Sequence, residues 1–318
     1  MTKVVDHLKN SNETMFSFEI LPPIKGHGIK KLFSQVEPLM EFKPKFIDVT
    51  YHREEYVYKK RQNGLLEKVS LRKRPGTVGI CAALMNKFQV DPVPHLICGG
   101  FTKEETESAL MDCHFLGIDN VLALRGDAIK SENRFVPTEG GNAYASELVK
   151  QISDMNKGQY LYQEDAGAEA TNFCTGVAGY PEKHFEAPNF NTDLKHLKRK
   201  VELGAEYIVT QMFFDNSKFF KFVEQCRAVG IDVPIIPGLK PLTTLRQLSI
   251  LPSIFFIDMP DELVHAVESC KTNEQVRQVG IEWSINQCKE LKKHKVPCLH
   301  FYSMGKSDNI KTIASEIF

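Results

Sequence analysis

Eight strand-like runs, each followed by helical sequence, set the tightest limit on how this chain can fold. They are residues 15–21 (MFSFEIL), 45–51 (KFIDVTY), 94–98 (PHLIC), 120–127 (NVLALRGD), 173–181 (FCTGVAGYP), 207–214 (YIVTQMFF), 234–241 (PIIPGLKP) and 297–304 (PCLHFYSM). Strands that alternate with helices predict a parallel sheet, because a helical crossover brings the chain back to start the next strand in the same direction. Eight such units predict an α/β fold of the (β/α)8 TIM-barrel type, with an open doubly wound sheet as the alternative. The length, 318 residues, suits one barrel, so residues 1–318 are read as a single domain.

The helical runs carry their own signals. Ile29, Leu32, Phe33, Val36, Leu39 and Met40 fall at helical spacing. A charged segment follows the second strand and leads to a helix near 77–88. Thr102 and Glu105 form a T-x-x-E capping box. A further helix starts near Ala143, and Leu194, Leu197 and Val201 mark the inward face of one that ends near Gly204. The polar segment 156–172 predicts a loop excursion or a small hairpin.

Composition removes several function classes. Lys+Arg and Asp+Glu are 40 each, and no basic tract interleaved with aromatics occurs, so nucleic acid is not an expected partner. The eight cysteines form no C-x-x-C pair and the histidines lack ligand spacing, so no metal or disulfide framework is expected. The polar start MTKVVDHLKNSNETM does not read as a signal peptide, and no apolar run approaches the roughly 20 residues of a membrane span. These features predict a soluble cytoplasmic protein. Gly26-x-Gly28 after the first strand hints at a dinucleotide fingerprint, but its third glycine position is Lys31, which cannot supply the close helix–strand packing.

In a barrel of this kind chemistry sits at the C-terminal ends of the strands. Glu19 stands there on the first strand, among Phe16, Phe18, Ile20 and Leu21. An unpartnered carboxylate in such a run is costly. Glu19 is therefore either satisfied by a partner the sequence does not reveal or poised for proton chemistry. Asp48, Thr50 and Tyr51 end the second strand, His95 lies on the third, and Arg125, Gly126 and Asp127 end the fourth. Tyr180 and His184 follow the fifth, Gln211 the sixth, and His300, Tyr302 and Lys306 the eighth. Taken singly, His95 could be a core histidine and Arg125–Asp127 a plain ion pair. Asp193, His196 and Lys200 share one side of a helix whose start could face a phosphate-bearing ligand.

Together the stretches SFEILPP (17–23), KPKFIDVTY (43–51), PHLIC (94–98), LALRGD (122–127), AGYPEKH (178–184), LKRKVELGAEYIVTQMFF (197–214), IDVPIIPGLKP (231–241) and LHFYSMGK (299–306) resemble methylenetetrahydrofolate reductases, in order over nearly the whole chain. The length resembles the single-domain bacterial type, without the extra regulatory domain of eukaryotic members. The resemblance implies a flavin-binding catalytic barrel with FAD as cofactor and NADH or NADPH as co-substrate. The reaction it implies is reduction of 5,10-methylenetetrahydrofolate to 5-methyltetrahydrofolate, by ping-pong hydride transfer through the flavin. Its partners would be small molecules, folate and a nicotinamide dinucleotide, and it would be a homo-oligomer.

By that resemblance Glu19 is the general acid, its apolar setting keeping it protonated to donate to N10 of the folate. Asp127 would stabilise the iminium cation left by ring opening and hold the pterin. Gln211, Gln247, Leu251 and Lys306 would contact substrate, together with Glu19 and Asp127. Thr50, His95, Arg125, Gly126, Asp127, Tyr180, His184, Asp193, His196, Arg199 and Lys200 match FAD-contacting positions. Three positions depart from the pattern: Leu251 stands where an aromatic is expected, His196 for asparagine, and Lys306 for arginine. The 156–172 segment also looks longer than the family's usual loop. A flavin barrel of the proline dehydrogenase kind and a non-catalytic barrel scaffold are the rival readings. The first lacks LRGD combined with a strand-borne Glu19. The second would not need to keep Glu19, Asp127 and Gln211 together.

Overall fold

A computed structural model describes residues 1–71, 73–129, 132, 134–162, 167–303, 305 and 307–318. In chain order the strands are β1 (Met15–Ile20), β2 (Phe46–Val49), β3 (Glu55–Lys60), β4 (Leu66–Leu71), β5 (Asp91–Ile97), β6 (Asn120–Leu124), β7 (Cys174–Gly179), β8 (Tyr207–Thr210), β9 (Ile235–Ile236), β10 (Gly238–Leu239) and β11 (Cys298–Tyr302). The helices are α1 (Val4–Asn10), α2 (Ile29–Val36), α3 (Thr77–Phe88), α4 (Lys103–Phe115), α5 (Ala145–Met155), α6 (Phe190–Glu202), α7 (Asn216–Ala228), α8 (Gln247–Phe255), α9 (Asp261–Glu268), α10 (Asn273–Lys293) and α11 (Asp308–Ser315).

One parallel sheet runs in the order β10-β11-β1-β2-β5-β6-β7-β8-β9. Its two ends, β9 and β10, are halves of the single run expected at 234–241, and only Pro237 separates them. Proline has no N–H for a ladder, so the strand breaks there. Its carbonyl still accepts from the N–H of His300 at 3.1 Å. β8 pairs with β9 and β10 with β11, so the chain itself closes the ring, giving the expected (β/α)8 TIM-type barrel.

Period-two alternation decides which side chains reach the site. On β1, Phe16, Phe18 and Ile20 pack outward against Leu32, Val36 and Leu39. Met15, Ser17 and Glu19 take the other face, toward the barrel interior, where Ser17 Oγ lies 2.9 Å from His300 Nδ1. The interior floor is apolar: Phe46, Val93, Leu122, Cys174, Tyr207, Ile236 and Cys298 form one cluster with Val4, Val5 and Leu8 of α1. Helix α1 therefore plugs the N-terminal mouth. Asn120, at the start of β6, pins it by accepting from Val4 N at 2.8 Å and donating to Thr2 O at 3.0 Å. With the floor sealed, the C-terminal mouth is the accessible end.

Two connections refine the sequence reading. The capping box of α4 forms as expected: Glu105 N–H donates to Thr102 Oγ1 and Thr102 N–H to Glu105 Oε2. The charged segment after β2 is an antiparallel hairpin of β3 and β4. Its turn holds Asn63-Gly64, with Gly64 at φ 81°, a hairpin signal that the density of charges masked. In 156–172 no strand forms among the described residues. Asn156 anchors that excursion by donating to Phe173 O and accepting from Phe173 N and Thr171 Oγ1, each at 2.8 Å.

Candidate active site

Glu19 is the next-to-last residue of β1, paired with Tyr302 of β11 on one side and Asp48 of β2 on the other. Phe18 and Ile20, which flank it in sequence, face away from it, so its surroundings are more polar than FSFEI suggests. Thr50 Oγ1 donates to Glu19 Oε1 at 2.7 Å and also contacts Ile20 O at 3.0 Å. His95 Nε2 lies 3.7 Å from Glu19 Oε2 and 3.3 Å from Asp48 Oδ2. The partner that the sequence did not reveal is thus a hydroxyl, with an imidazole behind it.

Burial pulls the His95 pKa down, but the hydrogen bond that His95 donates to Asp48 and the charges of Glu19 and Asp48 outweigh it and hold it above the ordinary value. His300 has no carboxylate bonded to it, and burial drives its pKa down. Burial also lowers Lys240 against the attraction of Glu19, and raises Tyr302 well above the phenol range. The Tyr302 hydroxyl donates to Thr210 O at 2.6 Å.

A second group lies along the rim formed by β6, β7 and α6. Lys200 Nζ donates to Ala178 O at 2.6 Å. Burial lowers its pKa to about 8, with Asp193 opposing. Arg125 pairs with Glu186 and stands 4.9 Å over the Phe135 ring. Gly126 turns the chain at φ 84°, where a Cβ would come within 3.2 Å of Ile97. Tyr180 meets the His184 ring edge-on at 4.8 Å, and His184 N–H donates to Asp193 Oδ2 at 2.9 Å. Burial lowers the His184 pKa and Arg125 lowers it further. Asp127, His196 and Arg199 are exposed.

Gln211 and Gln247 have each committed one amide oxygen. Gln211 Oε1 accepts from Met212 N at 2.9 Å. Gln247 Oε1 accepts from Thr243 N at 2.7 Å and Thr244 N at 3.1 Å, shaping the turn into α8. Leu251 is buried among Met212, Phe214 and Leu242, so the structure does not bring it to the open mouth. Lys306 lies outside the described residues. The exposed aromatics of this sector are instead Phe256, at φ 55°, and Phe185, stacked 4.8 Å apart. The sequence reading passed over these two and the half-buried Lys240. A lysine inside PIIPGLKP was the available signal.

The donor set fits a phosphate-bearing cofactor. Lys200 is a desolvated ammonium bonded to a carbonyl rather than a carboxylate, which favours an anion beside it. Arg125 and His184 lie in the same group. Tyr180, Gln211, Met212 and Phe256 line a shallow depression that encloses no cavity of ligand size. A dinucleotide would therefore have to lie along the open rim.

Comparison with known proteins shows the family. The family model for methylenetetrahydrofolate reductase matches residues 3–317. Methylenetetrahydrofolate reductase (NADH) 1 of Arabidopsis thaliana is 34% identical over 95% of this chain and 48% of its own length. The 5,10-methylenetetrahydrofolate reductase of Escherichia coli is 28% identical over 92% of this chain and 86% of its own. The chain thus spans about half the length of the plant relative and most of the bacterial one. A solved structure from Clostridium thermocellum, of a protein described as binding two copies of 5-methyl-5,6,7,8-tetrahydrofolic acid, shares the fold at a TM-score of 0.59 and 14% identity, covering 98% of this chain and 96% of that one. With the family model matched almost end to end, the chain belongs to the methylenetetrahydrofolate reductase family.

Proposed function

We propose that residues 1–318 act as one flavin-binding catalytic domain that reduces 5,10-methylenetetrahydrofolate to 5-methyltetrahydrofolate with NADH or NADPH. The observation that carries this reading is the Glu19 carboxyl at the C-terminal mouth, bonded by Thr50 and backed by a buried imidazole, in a chain of this family. Relatives named for NADH and for NADPH both occur, which supports a nicotinamide co-substrate and leaves the choice between them to experiment.

A flavin bound along the rim would supply hydride transfer between nicotinamide and folate. Lys200, Arg125 and Arg199 offer cations to its phosphates, while Thr50, His95, Gly126, Tyr180, His184, Asp193 and His196 position the rest. Glu19 delivers a proton to N10 of the folate, and the five-membered ring opens as the N10–carbon bond breaks. Thr50, already donating to Oε1, stabilises the carboxylate left behind. Asp127 offers a negative charge at the mouth to the resulting iminium cation and to the pterin. Gln211 and Gln247, their oxygens engaged, present amide N–H groups to substrate. By the resemblance alone, Lys306 would supply the charge for the glutamate tail.

The chain works on small molecules in the cytoplasm as a homo-oligomer in this reading. No helix among the described residues is long and apolar enough to cross a membrane.

The test is the colour of the purified protein. A yellow preparation, bleached anaerobically by NADH or NADPH and recoloured by methylenetetrahydrofolate, is the expected result. Bleaching by proline instead would favour a proline dehydrogenase-like barrel. A colourless protein that takes up no FAD would favour a scaffold.

A further inference from the structure

If Glu19 is the acid, as this inference assumes, it must be re-protonated at each turnover, and the barrel holds a buried base beside it. His95 is 3% exposed and Asp48 1%. One imidazole nitrogen, Nε2, faces both Asp48 Oδ2 at 3.3 Å and Glu19 Oε2 at 3.7 Å. A single N–H can bond only one of them well at a time. The other Asp48 oxygen, Oδ1, is buried with no hydrogen-bond partner among the described residues. A half-satisfied buried carboxylate costs stability, and a purely structural position would take an apolar side chain. The β5 residue in register with Asp48 is Val93, and the β6 residue in register with His95 is Leu122.

We propose that Asp48 and His95 form the proton-delivery pair for Glu19, Asp48 holding His95 as imidazolium and His95 passing its Nε2 proton to Glu19 Oε2. The protons balance. The Glu19 O–H breaks as N10–H forms. His95 Nε2–H then breaks as Glu19 O–H re-forms, and one proton from solvent restores the imidazolium. No electrons move in this relay, and it supplies the single proton that the reduction takes up along with hydride.

The surrounding charges favour this assignment. His52 and His300 oppose a positive His95. Lys240 and Tyr302 face Glu19, Tyr207 faces Asp48, and Asp127 acts on His52. Asp48 is therefore the group that keeps the imidazole charged once Glu19 carries its proton, and Glu19 adds to it only while ionised. His300, buried alike but hydrogen-bonded to the Ser17 hydroxyl, shifts the opposite way.

The test compares Asp48→Asn with the wild type. Imidazole NMR of the ligand-free protein, with His95 assigned by its absence in His95→Gln, should show His95 titrating above the ordinary imidazole value. In Asp48→Asn its titration should fall by about 1–3 units, as expected for loss of an adjacent opposite charge. The alkaline limb of the folate half-reaction should move to lower pH by a similar amount, with flavin reduction by nicotinamide unchanged. Identical titrations or identical pH profiles in a flavin-loaded variant would overturn the pair. Should Asp48→Asn not fold, the wild-type titration decides: a His95 that titrates below the ordinary imidazole value overturns the proposal, and one that titrates above it supports it. A wild type that never reduces folate defeats the functional reading instead, and the titration still judges the pair.

Discussion

Gly176→Ala tests the barrel interior on which the placement of the site depends. Gly176 lies on β7 in register with Tyr207 of β8. A Cβ there would stand 2.3, 2.5 and 2.6 Å from Cζ, Cε2 and the hydroxyl of Tyr207. Carbon contacts are favourable near 3.5–4.0 Å, so the overlap exceeds about 1 Å. The ring cannot retreat freely: Tyr207 is fully buried and belongs to the cluster that α1 seals from below. Overpacking of this kind costs about 1–3 kcal/mol, which outweighs the roughly 0.5–1 kcal/mol that alanine gains over glycine in a strand. The unfolding entropy of 318 residues is about 0.7 kcal/mol/K, so a net loss of about 1.3 kcal/mol lowers Tm by about 2 °C. Urea unfolding followed by circular dichroism would measure it. The same substitution in a Tyr207→Leu background should cost less than about 1 kcal/mol, because the clashing ring is gone. An unchanged or raised stability of Gly176→Ala in the wild-type background would refute the interior packing.

Three other outcomes are expected. Gly79→Ala lies in α3, on an exposed position where a Cβ meets nothing within 4 Å; it should stabilise the protein by about 0.5–1 kcal/mol, and a loss in the same urea assay would contradict the α3 backbone. Thr50→Val removes the hydroxyl that donates to Glu19; a charge-assisted hydrogen bond of about 1.5–3 kcal/mol corresponds to a folate half-reaction roughly 10–150-fold slower, and an unchanged rate by stopped flow would speak against that bond. Lys200, lowered by burial to about 8, is charged below that pH and neutral above it. Calorimetric affinity of the flavin-free protein for ADP should therefore fall between pH 7 and pH 9.5, and constant affinity would remove Lys200 from the phosphate site.

The fold was legible where periodicity is strong. Apolar strands separated by amphipathic helices permit few architectures, and each barrel strand forms within a few residues of where the pattern puts it. The seventh strand broke at Pro237 for a reason the sequence contains, a missing N–H. The hairpin of β3 and β4 escaped notice because its faces are solvated and charged, so no buried side stood out.

The site was legible as a set of residue types at strand ends, and much less so as an environment. Glu19 looked surrounded by grease because its chain neighbours are Phe18 and Ile20. A strand sends those neighbours to the opposite face, and its true contacts, Thr50 and His95, come from other strands. The link between His95 and Asp48 spans 47 positions and has no local signature. Leu251 fell where a substrate contact was expected, but α8 turns it into the core and leaves Phe256 outside. Which face of an isolated helix turn is exposed depends on tertiary packing, which one sequence read alone does not encode in any short motif.

Rapid-mixing kinetics of Glu19→Gln bear most directly on the central claim, that one carboxyl of the barrel mouth protonates the folate. Each half-reaction is followed separately by flavin absorbance under anaerobic conditions. The account predicts reduction by NADH or NADPH at close to the wild-type rate, with re-oxidation by methylenetetrahydrofolate slowed by about 100-fold or more. Re-oxidation at the wild-type rate, or equal loss of both half-reactions, would contradict it.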